Sequence, residues 1–353
     1  MFRSILAATR SSLVISSGAL VSLAISTSAL SQASSQFVFQ PGSAPFASSH
    51  ASTLVELSDG SLLAAWFAGT DEGKADVAIW SSHRVDGAWS APVELAREAN
   101  VPCWNPVLFH TRDQRLWLYY KFGPSPETWT SARKFSDDEG KTWSTAEHLP
   151  AGLIGPARAK PLVLADGTIV SGSSVESYLS WAAWIERSTD DGKTWTKIGP
   201  LVPPRGSGDS KQTFGIIQPS VVQIGGRHLR FYARSTSSIA KVVVADSYDE
   251  GATWTSPHPL DVPNPNSGID AVVLKDGRVA LVYNNTTSGR TPLNVAVSKD
   301  GEHFKMFLTL EDQPGEYSYP AMIQDSKGDL DITYTWQRKA IRFVRIALAK
   351  IPR

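Results

Sequence analysis

The sequence has almost no cysteine and no surplus of charge of either sign. Its single cysteine, Cys103, excludes an internal disulfide framework and a cysteine-rich zinc site. Lysine and arginine together number 34, as do aspartate and glutamate, so the formal net charge is zero. A neutral chain gives no sign of a nucleic acid or an anionic membrane as partner. Phosphate-binding loops and zinc-ligand spacings are also missing, so we expect no cofactor and no metal.

The first 33 residues have the pattern of an export signal. Arg3 and Arg10 precede an apolar, serine-rich run over residues 13–25, and small residues around Ala33 offer a cleavage site. The run is too short and too rich in serine to predict a transmembrane helix, although a retained anchor is the alternative. We therefore predict a signal peptide over residues 1–33 and a periplasmic or secreted monomer without a membrane span.

A short phrase of the form S-x-D-x-G-x-x-W occurs three times, at residues 136–143, 188–195 and 247–254. Weaker copies occupy residues 86–89 and 298–304. Aspartate can accept hydrogen bonds from backbone amides, glycine adopts a positive φ, and tryptophan can cover the turn against a sheet. The phrase therefore predicts a repeated structural turn, known as an Asp box.

An apolar strand, a polar turn and a second apolar strand recur six times along the chain. The turns end at residues 60, 114, 167, 226, 277 and 328, so successive turns lie 54, 53, 59, 51 and 51 residues apart. β-rich units at such a period predict a propeller, and four strands per unit give six blades. We expect residues 36–40 to supply the missing strand of the last blade and to close the ring. Residues 34–353 are therefore predicted to form one all-β domain, a six-bladed β-propeller.

In a hairpin, the start of the first strand and the end of the second strand lie at the same end. This geometry predicts one mouth where residues of all six blades meet, opposite the Asp boxes. The residues expected there are polar, charged or aromatic, and comprise His50, Asn105, Lys160, Gln218, Asp270, Tyr317, Tyr319, Asp71, Glu72, Lys121, Glu176, Arg234, Arg290 and Arg338. Together they favour a site for an acidic, hydroxylated ligand. The alternative is that some pair with one another or line a hydrated channel.

Arginines in a Y-A-R-S stretch at Arg234 and after the next hairpin at Arg290, together with the Asp boxes, resemble the sialidase (neuraminidase) superfamily of BNR-repeat proteins. The resemblance covers nearly all of residues 34–353. It implies that both arginines bind a substrate carboxylate and that Tyr317, in the G-E-Y-S-Y-P stretch, is the nucleophile. Asp71 or Glu72 would be the acid.

Two positions depart from the family's pattern. His50 replaces the first of three arginines, and Gln218 replaces the glutamate that activates the tyrosine. An amide cannot take a proton, so Glu316, Glu176 or His50 would have to act as the base.

Three functions stay open on these residues. The first is a sialidase-like exo-glycosidase acting on a terminal acidic sugar. The second is a uronate lyase in which His50, Tyr317 or Lys160 removes a proton. The third is a propeller that binds carbohydrate without catalysis. In each case we expect an acidic carbohydrate as partner, with substrate contacts from Arg234, Arg290, Gln218, Lys160, Asn105, Asp270, Glu176 and Tyr319.

Overall fold

The computed structural model describes residues 33–205 and 212–353. Nearly all of the predicted signal peptide, residues 1–32, lies outside the described residues. Strands form where apolar residues alternate or run together between turn residues. They are β1 (Ala33–Phe37), β2 (Ser48–Glu56), β3 (Leu62–Gly69), β4 (Ala78–Val85), β5 (Ala88–Trp89), β6 (Val93–Ala96), β7 (Cys103–His110), β8 (Leu116–Phe122), β9 (Thr130–Ser136), β10 (Glu147–His148), β11 (Leu162–Val163), β12 (Ile169–Ser177), β13 (Ser180–Ser188), β14 (Thr196–Leu201), β15 (Phe214–Gly225), β16 (His228–Ser235), β17 (Lys241–Ser247), β18 (His258–Pro263), β19 (Asp270–Val273), β20 (Val279–Tyr283), β21 (Leu293–Ser298), β22 (Lys305–Glu311), β23 (Tyr317–Gln324), β24 (Leu330–Trp336) and β25 (Ala340–Ile346).

The fold is all-β, as predicted. One short 3-10 helix, Leu348–Lys350, is the only helix in the two described ranges. Accordingly, none of the described helical structure is long and apolar enough to cross a membrane.

The strands pair into antiparallel units in the order in which they occur along the chain. Strands β2–β6, β7–β10 and β19–β22 each form one sheet. Strands β11–β14 and β15–β18 are two such units, joined into a larger sheet by parallel pairing of Ser180 with Phe214 and of Trp181 with Gly215. In the last sheet, β1 pairs with β25 beside β24 and β23. The N-terminal residues therefore supply the fourth strand of the last unit, beginning three residues earlier than predicted.

Neighbouring units pack through their first strands. Strand β2 contacts both β7 and β23, and β15 contacts the first strand β19 of the fifth unit and the second strand β12 of the third. Hydroxyl groups connect the units: Thr53 Oγ1 accepts a hydrogen bond from the Leu108 amide at 3.1 Å, and Thr335 Oγ1 accepts one from the Ala51 amide at 3.1 Å. Strand β3 is buried along its whole length. The starts of first strands from units distant in sequence consequently lie side by side.

The repeated phrase forms the same turn in each of its three copies. In the second copy, Asp190 Oδ1 accepts hydrogen bonds from the Ser188 hydroxyl at 2.8 Å and from the Thr194 amide at 2.9 Å. Trp195 Nε1 donates to the Gly192 carbonyl at 3.0 Å, and Gly192 has a φ of 80°. Equivalent bonds surround Asp138 and Asp249. These turns stabilise the sheet ends.

The turns lie at the hairpin-turn end of the sheets, as the strand order predicts. A Cβ added at Gly140, in the first copy, would lie 3.1 Å from Leu63 and 3.5 Å from Leu116, near the starts of β3 and β8. The repeated phrase is therefore remote from the starts of the first strands.

The Asp190 turn predicts a contribution to acid stability. Hydrogen bonds from the Thr194 amide, the Thr194 hydroxyl and Ser188 lower the pKa of Asp190 from its ordinary 3.8 to about 2. A depressed folded pKa contributes stability that is present above pH 3.8 and is lost as the pH falls through about 2. We expect Asp190→Asn to flatten the fall of urea unfolding midpoints across this window. An unchanged slope would contradict the assignment, and Asp191→Asn, one residue along, is the matched control.

Candidate active site

In four units, the regular pairing of the first strand with the second strand is interrupted near the start of the first strand. Register shifts interrupt β2 after His50, β7 after Trp104, β15 after Ile217 and β23 after Ser318. At each interruption a residue other than glycine has a positive φ: Ala51 (56°), Asn105 (35°), Gln218 (56°) and Tyr319 (51°). Such a backbone costs about 1–3 kcal/mol per residue and concentrates at functional sites. Bulges also redirect side chains, so these four strands present special conformations at one end of the fold.

Tyr319 lies at the centre of the side chains that meet at this end. Its ring centroid lies 4.2 Å from that of His50. Guanidinium carbons of Arg158, Arg234 and Arg290 lie 5.4, 5.6 and 5.7 Å from the ring centroid. Arg234 Nη1 also donates a hydrogen bond to the Tyr319 phenol oxygen at 2.6 Å. The phenol is therefore held in a strongly cationic environment.

Arg234 and Arg290 are oriented by the same loop. Arg234 Nε donates to Asn266 Oδ1 at 2.7 Å, and Arg290 Nη2 donates to the Asn266 carbonyl at 3.1 Å. Arg290 Nη1 is buried, has no hydrogen-bond partner among the described residues, and lies 4.0 Å from Glu316 Oε1. An oriented guanidinium with a free donor can bind a carboxylate. The guanidinium carbon of Arg234 also lies 5.5 Å from the centroid of the Trp181 ring.

Arg338 is held by two carboxylates. Its Nε lies 2.8 Å from Glu316 Oε2, and its Nη1 contacts Glu72. Burial raises the pKa of Glu316, but the hydrogen bond and charge of Arg338 outweigh burial and lower it overall. Glu316 is therefore ionised and engaged, which leaves it poorly suited to the role of base. Asp71 is exposed, and its Oδ1 accepts a hydrogen bond from the Glu72 backbone amide at 2.9 Å.

His50 is buried, with only 1% of its surface exposed. Burial lowers its pKa well below the ordinary value, and Arg338, Arg290, Arg158 and Arg234 lower it further, in that order. Neither ring nitrogen has a hydrogen-bond partner within residues 33–205 and 212–353. The ring is therefore a neutral imidazole with unused hydrogen-bonding capacity.

Two amides occupy bulge positions beside this group. Gln218 Oε1 lies 3.5 Å from Arg234 Nη1, and the Gln218 backbone amide donates to Ser174 Oγ at 2.7 Å. Asn105 Nδ2 donates to the Ala157 carbonyl at 3.2 Å. Gln218 thus lies close to Arg234.

Glu176 contributes a protonatable carboxyl at the edge of the group. It is half-buried on β12 and lies opposite Trp181 on β13. Burial raises its pKa to about 7; Arg234 opposes this shift, and Glu127 and Glu72 add to it. A carboxyl with this pKa can donate a proton near neutral pH.

A family model described as a BNR repeat-like domain matches residues 60–332 of the chain. The chain belongs to the BNR repeat-like domain family. This match and the structures below confirm the resemblance to the sialidase superfamily. No curated protein sequence matches the chain.

Solved structures of sialidases share the fold of this BNR-repeat protein. The NanB sialidase of Streptococcus pneumoniae superposes with a TM-score of 0.72 at 14% identity, over 90% of this chain and 71% of that chain. The intramolecular trans-sialidase of Ruminococcus gnavus superposes with a TM-score of 0.68 at 14% identity, over 88% of this chain and 97% of that chain. A protein of unknown function from Dyadobacter fermentans superposes with a TM-score of 0.73 at 15% identity, over 88% of this chain and 97% of that chain. The fold is therefore of the sialidase type.

The structure of this BNR-repeat protein directs the Tyr317 phenol away from the guanidinium groups, unlike the sequence interpretation, although the Tyr317 amide donates to the Arg290 carbonyl at 3.0 Å. Tyr317 is 2% exposed and packs among Leu274, Val282 and Ile332. Its phenol oxygen accepts a hydrogen bond from Gln337 Nε2 at 3.2 Å. Tyr317 and Tyr319 would share a face of a regular strand. The bulge and the positive φ at Tyr319 instead direct Tyr319 alone towards the arginines.

Lys160 and Asp270 bind each other. Lys160 Nζ lies 2.9 Å from Asp270 Oδ2, and this oxygen also accepts a hydrogen bond from the Met322 amide at 2.8 Å. Asp270 Oδ1 accepts a hydrogen bond from the Ser220 hydroxyl at 2.7 Å. These bonds join the third, fourth, fifth and sixth units. The alternative that mouth residues pair with one another therefore holds for these two.

Arg158 was missed by the sequence reasoning. It precedes β11, donates to the Ile269 carbonyl at 2.8 Å and also contacts the Pro320 carbonyl. We expected a first strand beginning near Lys160, but β11 comprises only Leu162–Val163. The A-R-A-K stretch carried the only available signal, a cation two residues before Lys160.

The Asp270 hydrogen bonds predict a large effect on stability. We expect Asp270→Asn to lower the free energy of unfolding by about 2–4 kcal/mol, because Lys160 loses its charged partner in a buried site. Urea denaturation measures the change. The exposed Asp276→Asn is the control, expected to stay within about 0.5 kcal/mol of the parent. Equal stability of the two variants would contradict the assigned role.

Proposed function

We propose that this protein is an exported glycan-active enzyme that acts on a terminal acidic sugar. The observation that carries the proposal is the convergence of Arg234 and Arg290 on Tyr319, with a buried guanidinium donor of Arg290 left free. A carboxylate that spans the two guanidinium groups would lie beside the phenol. The R. gnavus enzyme, which shares the fold, was crystallised with oseltamivir carboxylate, and this supports a carboxylate ligand.

We also infer that the six units form the six blades of one closed propeller over residues 34–353. The pairing of β1 with β25 and the contacts of β2 with both β7 and β23 support this arrangement. Export rests on the signal-peptide pattern of residues 1–33 alone.

The site supports β-elimination better than hydrolysis. Among the described residues no carboxylate hydrogen-bonds to Tyr319, and Gln218 cannot accept its proton. The neutral His50 lies against Tyr319 instead. In elimination, the arginines neutralise the carboxylate of a terminal uronate whose O4 carries the leaving sugar, and this acidifies its C5–H bond. The Tyr319 phenol first releases its proton to the solvent, and the phenolate then takes the C5 proton. A C4=C5 bond forms, and the C4–O4 bond to the leaving sugar breaks. Glu176 supplies the proton to the leaving oxygen.

Hydrolysis of the sialidase type is the second candidate, because the fold is shared with sialidases. Tyr319 would then replace Tyr317 as the nucleophile, and Glu176 would replace Asp71 or Glu72 as the acid. Binding without catalysis is the third outcome, which the amide at Gln218 would favour.

One assay separates the three functions. Acidic oligosaccharides are incubated with the protein, and ultraviolet absorbance and reducing ends are followed together. Absorbance from an unsaturated uronate identifies elimination, and reducing ends without absorbance identify hydrolysis. Saturable binding with neither signal identifies a carbohydrate-binding protein and would refute the enzymatic proposal.

Replacing each of the two tyrosines in turn by phenylalanine tests which phenol takes part in the reaction. We expect Tyr319→Phe to lower kcat by about 100-fold or more, since general acid–base groups contribute about 10²–10⁴-fold. Tyr317→Phe is the matched control and should keep near-parental kcat, because its phenol bonds only Gln337 within the described part of the chain. Full activity of Tyr319→Phe, or loss confined to Tyr317→Phe, would overturn the assignment.

The carboxyl of Glu176 predicts a pH dependence. Because its pKa is raised to about 7, the proton donor is present below pH 7 and is lost as the pH rises through that value. We expect kcat to fall above about pH 7 and Glu176→Gln to remove this alkaline limb of the pH profile of kcat. The variant should lose less kcat on substrates carrying an activated leaving group. Glu127→Gln, an exposed neighbour, is the control. Retention of the limb in Glu176→Gln would exclude Glu176 as the donor.

A further inference from the structure

We propose that Tyr178, at the tip of the β12–β13 hairpin, is a specificity-determining residue that stacks on the leaving sugar of the substrate. The inference rests on the proposed function, because it requires an acidic sugar bound by Arg234 and Arg290. It adds a second sugar subsite and defines the substrate class: an acidic sugar linked to a further sugar, rather than to a small leaving group.

Tyr178 is an exposed aromatic side chain at the mouth. The described ranges expose seven large hydrophobic side chains, namely Val85, Val93, Val175, Tyr178, Tyr248, Met306 and Leu348. Only Val175 and Tyr178 of this described set lie at the mouth, and the other five lie towards the hairpin turns and the Asp boxes. Tyr178 is the most exposed of the seven, at 87%. Strand alternation separates Val175 from Glu176, whereas Tyr178 has the two-residue spacing that shares the Glu176 face.

The backbone of the hairpin tip is fixed against β15. Tyr178 and Leu179 form the two-residue turn between β12 and β13. Leu179 is half-buried with a φ of 60°, and its carbonyl accepts a hydrogen bond from the Phe214 amide at 3.3 Å. A Cβ added at Gly215 would lie 1.8 Å from the Trp181 carbonyl oxygen, so the two strands approach too closely for a side chain there. A ring carried on such a preorganised turn loses little entropy when it binds a ligand.

The hairpin places the arginine site, the acid and the aromatic ring in order from the fold outwards. Glu176 pairs with Trp181, and the Trp181 ring lies 5.5 Å from the Arg234 guanidinium carbon. Tyr178 is two residues closer to the tip, which is roughly 7 Å along an extended strand. This displacement is comparable with the length of one sugar ring. An acidic sugar at the arginines, with its leaving oxygen at Glu176, therefore places the next sugar beside Tyr178.

A tyrosine ring suits the apolar face of a pyranose. C–H groups form that face, and the phenol oxygen at the ring edge stays free to bond water or a sugar hydroxyl. Burial of about 50 Å² of apolar surface corresponds to about eightfold tighter binding. The stacked ring is remote from the reacting bond, so it binds the ground state and the transition state alike. Such a contact lowers KM and leaves kcat unchanged.

Titration calorimetry on two matched pairs of sugars tests the inference. One pair is N-acetylneuraminate and 3′-sialyllactose, which suits hydrolysis. The other is D-glucuronate and its disaccharide with glucose on O4, which suits elimination. Every protein carries Tyr319→Phe to slow turnover. We expect Tyr178→Ala to raise the Kd of the oligosaccharide about eightfold and to leave the Kd of the matching acid within about twofold. Tyr178→Phe keeps the ring and should keep both Kd values.

Tyr248→Ala is the matched control. Tyr248 is also an exposed tyrosine, at 65%, but it lies in an Asp box at the opposite end of the fold, where its ring stacks on that of His228 at 4.7 Å. We expect this variant to bind all four sugars as the parent does. With Tyr319 intact, Tyr178→Ala should raise the KM of the oligosaccharide about eightfold and keep kcat within about twofold.

The outcomes separate the inference from the proposed function. If an acid and its oligosaccharide bind but Tyr178→Ala changes neither Kd, or both by the same factor, the inference is wrong and the carboxylate site stands. An equal loss in Tyr248→Ala would overturn the inference as well. If neither acid and neither oligosaccharide binds the parent, the proposed function fails and the inference fails with it.

Discussion

A four-stranded antiparallel unit cannot bury both of its faces alone, and this constraint organises the whole molecule. Each unit is covered by its neighbours, which is why β3 is buried from end to end. Covering the faces in this way sets the first strands side by side, with their starts at one end. Hairpin pairing brings the ends of the second strands to the same place. The position of the site is therefore a consequence of packing, before any residue in it is considered.

The bulges determine which side chains enter that site. A regular strand presents alternate residues to one face, whereas a bulge adds a residue and turns the chain. Strands β2, β7, β15 and β23 all carry such a bulge near their starts. In β23 the bulge separates Tyr319, which faces the arginines, from Tyr317, which packs in the core. Backbone strain at these positions accompanies the convergence of these strand starts at one end of the fold.

Charge balance gives the site its chemical character. Glu72 and Glu316 compensate Arg338, and Lys160 and Asp270 compensate each other, so these residues mainly hold the units together. Arg234 and Arg290 are oriented through Asn266, and their charge lies against an uncharged His50. Such an excess of positive charge matches a ligand with one negative charge. The protonatable Glu176 pairs with Trp181 across two strands, and the Trp181 ring lies 5.5 Å from the Arg234 guanidinium carbon.

The sequence by itself determined the repeat, the six hairpins, the turn chemistry of the S-x-D-x-G-x-x-W phrase and the end of the fold where polar residues gather. These features depend on local patterns of apolar and turn residues, which a single sequence displays. Only the tertiary structure decided that Tyr319 rather than Tyr317 meets the arginines, that Arg158 joins them, and that Lys160 is bound by Asp270. The physical reason is that bulges break strand alternation without a sequence mark, and that partners 110 residues apart meet only when the units pack.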